Sequence, residues 1–145
     1  MPKKANKGTA ANKDAVYQVF ISHSSADAWI ARQMAKELGA LEGVQTWLDE
    51  KDLEGGDWLE ETIVDAIRQS QELLVLVSAD SVRSQWVHLE IGVALGARIH
   101  VTPILNKVPP DALRISANRV SLDLNRFEQF LVQLRQRIAD WRQRL

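Results

Sequence analysis

The chain has no cysteine. Disulfides, thiolate metal sites and a cysteine nucleophile are thereby excluded, and a reducing compartment is favoured. Only three histidines occur, His23, His88 and His100, too scattered along the chain to suggest a metal site. Acids and bases nearly cancel to a net charge of -1, so no global basic field points to nucleic acid or to an anionic membrane surface. No apolar run approaches the roughly 18 residues of a spanning helix, and no membrane partner is expected. Three signatures of nucleotide or ester chemistry are also missing. There is no GxxxxGK followed by Ser or Thr, no GxGxxG and no GxSxG, which argues against a P-loop, a hydride-transfer site and a nucleophile elbow. The opening MPKKANKGTAANKD is polar and lacks an apolar core segment, so a secretory signal is not expected. Residues 1–14 are expected to be a disordered tail, residues 15–145 a single folded domain, and the location cytoplasmic.

What is present is a hydrophobic content of 46 %, enough for a core, arranged as short β-rich runs alternating with longer helical patterns. Strands are expected at 16–21, 43–48, 72–77, 98–105 and around 119–122. Helices are expected after Ser24 or Ser25 as cap, with Trp29, Ile30, Met34, Leu38 and Leu41 at helical spacing. Others should run from an Asp57/Glu60 capping box to about Ser70, through Trp86 to Gly96, and from Asn125 to Arg144. The run Leu73-Leu74-Val75-Leu76-Val77 is apolar on both faces, so the third strand is expected at the centre of the sheet. The pattern predicts a flavodoxin-like α/β fold. It would have a five-stranded parallel sheet of order 2-1-3-4-5 with helices on both faces.

In such a sheet a ligand lies at the carboxyl ends of the strands where the order reverses, here between the first and third strands. The loops there are Ser22-His23-Ser24-Ser25-Ala26-Asp27 and Ser78-Ala79-Asp80-Ser81-Val82-Arg83-Ser84. The second leads into Ser84-Gln85-Trp86-Val87-His88-Leu89-Glu90, a segment with the apolar density of a buried helix and a carboxylate in its middle. Trp86 and Glu90 share a helix face at i,i+4 spacing. Burying a carboxylate is costly unless it is paired or solvated, so Glu90 has either a structural partner, such as an arginine, or a chemical task.

Taken in order, these motifs resemble those of the TIR (Toll/interleukin-1 receptor) domain, of the kind common in bacteria, over about residues 16–143. Val19-Phe20-Ile21-Ser22-His23 with Ser24-Ser25-Ala26-Asp27 resembles the first-strand motif and its loop. Trp47-Leu48-Asp49 with Leu53-Glu54-Gly55-Gly56-Asp57-Trp58 resembles the end of the second strand and the BB loop. Leu74-Val75-Leu76-Val77-Ser78 resembles the third strand. Trp86-Val87-His88-Leu89-Glu90 fits the WxxxE pattern of members that cleave NAD+. The first loop departs from many cleaving relatives, which carry bulky or basic residues where this chain has Ser24 and Ser25.

The resemblance implies an NAD+ glycohydrolase or ADP-ribosyl cyclase, with NAD+ as substrate and no resident cofactor or metal. Glu90 is the expected catalytic carboxylate. Trp86, Ser22, His23, Ser24, Ser25, Asp49, Lys51, Trp58 and Ser78 are the expected substrate-binding residues. Core packing for Trp86 and Trp58, ordinary capping for the serines and a surface role for His23 are the alternatives beside these roles. The competing function is a non-catalytic TIR scaffold that works by self-association or by pairing with other TIR domains. A receiver-like phosphoacceptor is disfavoured because Ser22 and Ser78 stand where its acids would be. A nucleoside deoxyribosyltransferase relative would act on nucleosides instead. The resemblance further implies a part in antiphage defence.

Overall fold

Alternating apolar side chains of one strand serve two opposite helical layers, and β3, Glu72–Val77, shows this most fully. Leu74 and Leu76 join one core cluster and Leu73, Val75 and Val77 the other, all fully buried. The computed structural model describes residues 14–48, 59–117 and 119–145. β1, Tyr17–Ser22, pairs in parallel with β3 on one side and with β2, Val44–Leu48, on the other. β4, His100–Leu105, flanks β3 and carries β5, Leu122–Asp123, at its outer edge. The order is therefore 2-1-3-4-5, as the sequence pattern predicts.

Helices α1, Ala28–Gly39, and α5, Phe127–Gln143, cover the face bearing Val19, Ile21, Leu74 and Ile104. Helices α2, Leu59–Arg68, and α3, Gln85–Gly96, cover the face bearing Phe20, Leu73, Val75 and Val101. A short helix, α4 (Arg114–Ala117), follows β4 and was not expected from the sequence. In α5 the residues Phe127, Phe130, Leu134 and Ile138 are buried at helical spacing, with Leu131 and Trp141 packed beside them. In α2 the residues Ile63, Ala66 and Ile67 are buried. The Phe20 ring stacks on Trp47 with centroids 4.9 Å apart, tying β1 to the edge strand.

Several expectations are corrected. β2 begins at Val44 rather than Gly43, because Gly43 adopts a left-handed φ of 75° in the turn that precedes the strand. β4 begins at His100 rather than Arg98, which likewise takes a positive φ of 58° in the turn after α3. The fifth strand is two residues long and lies beyond Val120, which is exposed. Trp29 does not face the core: Ala31, Met34 and Leu38 define the buried stripe of α1, which leaves the indole 69 % exposed on the far side. Pro103 sits mid-strand without breaking the ladder, since pairing with β5 starts only at Ile104. Of the expected tail at 1–14, residues 1–13 lie outside the described residues, as does the Asp57 cap.

Candidate functional site

The site is built where β1 and β3 end side by side and their loops diverge to opposite faces. On one face stands α3. Ser84 caps it, its hydroxyl accepting from the Val87 amide at 3.2 Å, so the helix starts one residue before Trp86. Val87, Glu90, Ile91 and Ala94 form its buried stripe. Glu90 thus occupies a core position of the helix and is only 1 % exposed. Its Oε1 accepts a 2.6 Å hydrogen bond from the hydroxyl of Ser22, the last residue of β1. The carboxyl therefore faces the end of β1 at the switch point. Trp86, one turn earlier, is partly buried against the core cluster of this face.

On the other face a second buried carboxylate appears, and sequence reasoning had not singled it out. Asp27 ends the short 3-10 turn Ser25–Asp27 that leads into α1, and it is 7 % exposed. Its Oδ2 accepts from Ser24 Oγ at 2.8 Å and from Ser78 Oγ at 2.5 Å. Ser78 directly follows β3, so Asp27 joins the two loops that flank the crevice. The signal was present in the sequence. Ser24-Ser25-Ala26-Asp27 has the spacing of a capping box at a helix start. The expectation that Ser24 caps the helix by its side chain is corrected: Ser24 holds the N-cap position, but its hydroxyl donates to Asp27 and makes no cap bond.

His23 is buried beside Ser22 in the chain. Its Nδ1 lies 2.7 Å from the Ser24 carbonyl, an acceptor, so Nδ1 carries the proton and Nε2 presents a lone pair. Nε2 is buried and has no hydrogen-bond partner among the described residues. Ser25 is exposed on the 3-10 turn and takes no part in these contacts. Asp49, Lys51 and Trp58, expected to reach the ligand, lie outside the described residues.

The arrangement has a definite hydrogen-bond polarity. The single protons of Ser22, Ser24 and Ser78 are all donated to carboxylates. What these groups and His23 Nε2 can still offer is lone pairs, suited to hydroxyl or amide donors of a ligand. Three surface clefts formed by described residues lie elsewhere. They include one of about 410 Å³ between the end of α1 and α5, and one of about 340 Å³ lined by His100, Arg119 and Arg137. Neither of these two borders Glu90. No group of three or more His, Cys, Asp or Glu side chains among the described residues is placed to hold a metal ion. No described helix is long and apolar enough to cross a membrane.

A family model described as "TIR domain" matches residues 19–136. The chain belongs to the TIR-domain family. It is 32 % identical over 129 residues to the 2' cyclic ADP-D-ribose synthase AbTIR of Acinetobacter baumannii, covering 81 % of this chain and 48 % of that protein. It is 31 % identical over 84 residues to Toll-like receptor 2 of Macaca mulatta, covering 57 % of this chain and 11 % of the receptor. The chain thus spans about half of the one relative and a small part of the other. The TIR domain of the Toll-related receptor TRR-2 of Hydra magnipapillata superposes with a TM-score of 0.69 at 22 % identity. The superposition covers 86 % of this chain and 99 % of that one, and the likeness is one of fold.

Proposed function

We propose that the chain cleaves the bond between nicotinamide and ribose in NAD+. The observation that carries this reading is the Glu90 carboxyl, buried in the core stripe of α3 and aimed at the end of β1 where strand order reverses. The relative that is 32 % identical, named a 2' cyclic ADP-D-ribose synthase, adds weight to it.

The chemistry asks for little more than such a carboxylate. The glycosidic electron pair moves onto the positively charged nicotinamide nitrogen, so the base leaves neutral and needs no general acid. Positive charge develops on the ribose, and an anionic group beside it lowers the barrier. Water then adds to the anomeric carbon and loses a proton, giving ADP-ribose. A hydroxyl of the ADP-ribose itself, attacking in water's place, gives a cyclic isomer. Glu90 would stabilise the cation or take the proton from the nucleophile. His23 Nε2 supplies an acceptor for a ribose hydroxyl or the carboxamide, and Trp86 a wall for the base. NAD+ is here the substrate, and no further cofactor is called for. The setting implied by the resemblance, cytoplasmic defence against phage through a nucleotide signal or NAD+ depletion, belongs to the same proposal; NAD+ pools followed through infection test it.

The direct experiment incubates pure protein with NAD+ and separates products by chromatography with mass detection. Release of nicotinamide with linear, cyclic or conjugated ADP-ribose is the expected result. Persistent inactivity of monomer and assembly alike, or undiminished turnover in Glu90→Ala, ends the proposal.

One observation favours a second reading, a scaffold that associates with its own copies or with other TIR domains. Trp29 places a large apolar side chain in solvent, at 69 % exposure, in a groove with Met34, Leu124 and Phe127. Concentration-dependent association lost in Trp29→Ala, in a protein that leaves NAD+ intact, would favour it.

A further inference from the structure

We infer that Asp27 is a positioning residue for the site, one that fixes the helix bearing Trp86 and Glu90 against the loop after β1. This rests on the reading of Glu90 given above, but it depends on a different set of contacts. A single carboxylate oxygen takes both the Ser24 and the Ser78 hydroxyl, and all three side chains are at least nine-tenths buried. Ser24 and Asp27 belong to the loop after β1. Ser78 begins the connector from β3 to α3.

That connector is a strut. The Ser78 amide donates to Ser81 Oγ at 2.8 Å, and the Ser81 amide donates back to Ser78 Oγ at 3.1 Å. Val82 N–H bonds the Ser78 carbonyl, Arg83 N–H the Asp80 carbonyl and Ser84 N–H the Ser81 carbonyl. Ser84 then caps α3. From Ser78 to Ser84 almost every step is hydrogen-bonded, so a shift at Ser78 is carried to α3 rather than absorbed. The far end of the path returns to β1 through Glu90 and Ser22. The crevice is thus held on both faces. Ser22–Glu90 closes it on the α3 side and Ser24–Asp27–Ser78 on the α1 side. The side-chain contacts of Asp27 are to Ser24 and Ser78 and do not include Glu90. Its effect on catalysis passes through geometry.

The role inferred for Asp27 is that of an acceptor fixed in place, not of a charge. Among the described residues it has no cationic partner, only two neutral hydroxyls. A buried carboxylate without a counter-charge is costly. An asparagine oxygen could accept the same two bonds without that charge, and this gives the test its control.

The test uses the full chain and four variants, Asp27→Ala, Asp27→Asn, Ser78→Ala and the double Asp27→Ala/Ser78→Ala. It measures the thermal midpoint, kcat and KM for NAD+, and hydrogen exchange of the Ser78–Val87 amides. Misplacement of a reacting group by about 1 Å can cost about a hundredfold in rate. The expected result is a kcat in Asp27→Ala lowered by roughly tenfold to a hundredfold with KM changed little, together with faster exchange across the connector. Ser78→Ala should reproduce most of the loss, and Asp27→Asn should recover most of it. The double variant should be no worse than Asp27→Ala, because both changes remove one interaction.

A folded Asp27→Ala with wild-type kcat overturns the inference, even if its midpoint falls, since the residue would then be structural only. Equal impairment of Asp27→Asn and Asp27→Ala also overturns it, because charge rather than geometry would be at work. If Asp27→Ala does not fold, Ser78→Ala decides alone: wild-type kcat there ends the inference. A wild-type chain that neither cleaves nor binds NAD+ ends both this inference and the proposed function. An active wild type with an indifferent Ser78→Ala ends this one alone.

Discussion

At the amino end of β3, Glu72 is fully buried and saturated with partners. Arg137 of α5 reaches both of its oxygens, at 2.7 and 2.6 Å. The Tyr17 hydroxyl donates to Oε1 at 2.8 Å and the Thr102 hydroxyl to Oε2 at 3.0 Å. At the carboxyl ends of the same strands stand Glu90 and Asp27, equally hidden from water, and their contacts named above are serine hydroxyls. One end uses a carboxylate to fasten four elements and gives it a cation and two donors in return. The other end sets carboxylates beside a crevice, with serine hydroxyls among their partners. Under the proposed function the contrast separates structure from chemistry among buried carboxylates, and it can be broken from either side.

The largest effect is expected at Glu90. Glu90→Gln keeps an acceptor for Ser22 and removes the charge. Turnover of NAD+ should fall by about 10²- to 10⁴-fold, as when a positioned carboxylate is lost from an active site. The urea midpoint should stay close to that of the wild type. Full activity in a folded Glu90→Gln protein would erase the distinction between the two ends.

Arg137 is the mirror experiment. Arg137→Ala leaves Glu72 buried without its cation and should destabilise the fold by roughly 3–5 kcal/mol, read from urea unfolding. The folded fraction should retain its kcat. Replacing both partners by leucine should cost far less, because no charge is then left unpaired. Stability lost equally in the single and double variants would show that Arg137 acts by packing its stem, not by its charge.

These two ends differed in how visible they were beforehand. The central place of β3 was legible because it is apolar on both faces, and the alternation of strands with helices pointed to the doubly wound order. Glu90 was legible as an acid out of place in an apolar helix. Glu72 was not, because an acid at the first position of a strand looks like a solvated end. Its cation lies on α5, 65 residues away, where Arg137 reads as part of a polar helix face. Asp27 was missed for another reason. The spacing from Ser24 was plain, but hydrogen-bond direction and the partner Ser78 arise only when two distant loops meet. Trp29 misled because an aromatic at roughly helical spacing was read as core, while the stripe had already been filled by Ala31, Met34 and Leu38.

A smaller effect is expected at Tyr17. Burial first, and then the adjacent Glu72 carboxylate, push its phenol well above its ordinary value, so it stays a donor. Tyr17→Phe removes one of the donors to Glu72 and keeps the ring that meets Trp141 edge-on at 5.2 Å. A hydrogen bond to a charged group contributes about 1.5–3 kcal/mol, and Arg137 remains to compensate, so the loss should lie near the lower bound. A loss as large as that of Arg137→Ala would mean that the phenol, not the guanidinium, is the principal partner.

The smallest effect concerns His100, the exposed first residue of β4 at the same amino end. Burial lowers its pKa from the ordinary value of 6.5. The nearby Glu72 acts in the opposite sense, while Arg137 and Arg119 add to the lowering. The neutral form is therefore favoured in the folded chain. Above pH 6.5 both folded and unfolded states hold the ring neutral, and its contribution to stability is fully present. As pH falls below 6.5 the unfolded state takes up the proton first, and stability is lost down to the lower folded value. Thermal midpoints measured from pH 7.5 to pH 5, roughly the span over which an ordinary histidine titrates, should fall, and His100→Gln should flatten part of that slope. Glu90 and Asp27 are at the other end of the sheet, so the pH profile of kcat should not follow the His100 substitution. A kcat profile that moved with His100 would show the two ends to be coupled through the strands, and the division between a structural edge and a reactive one would no longer hold.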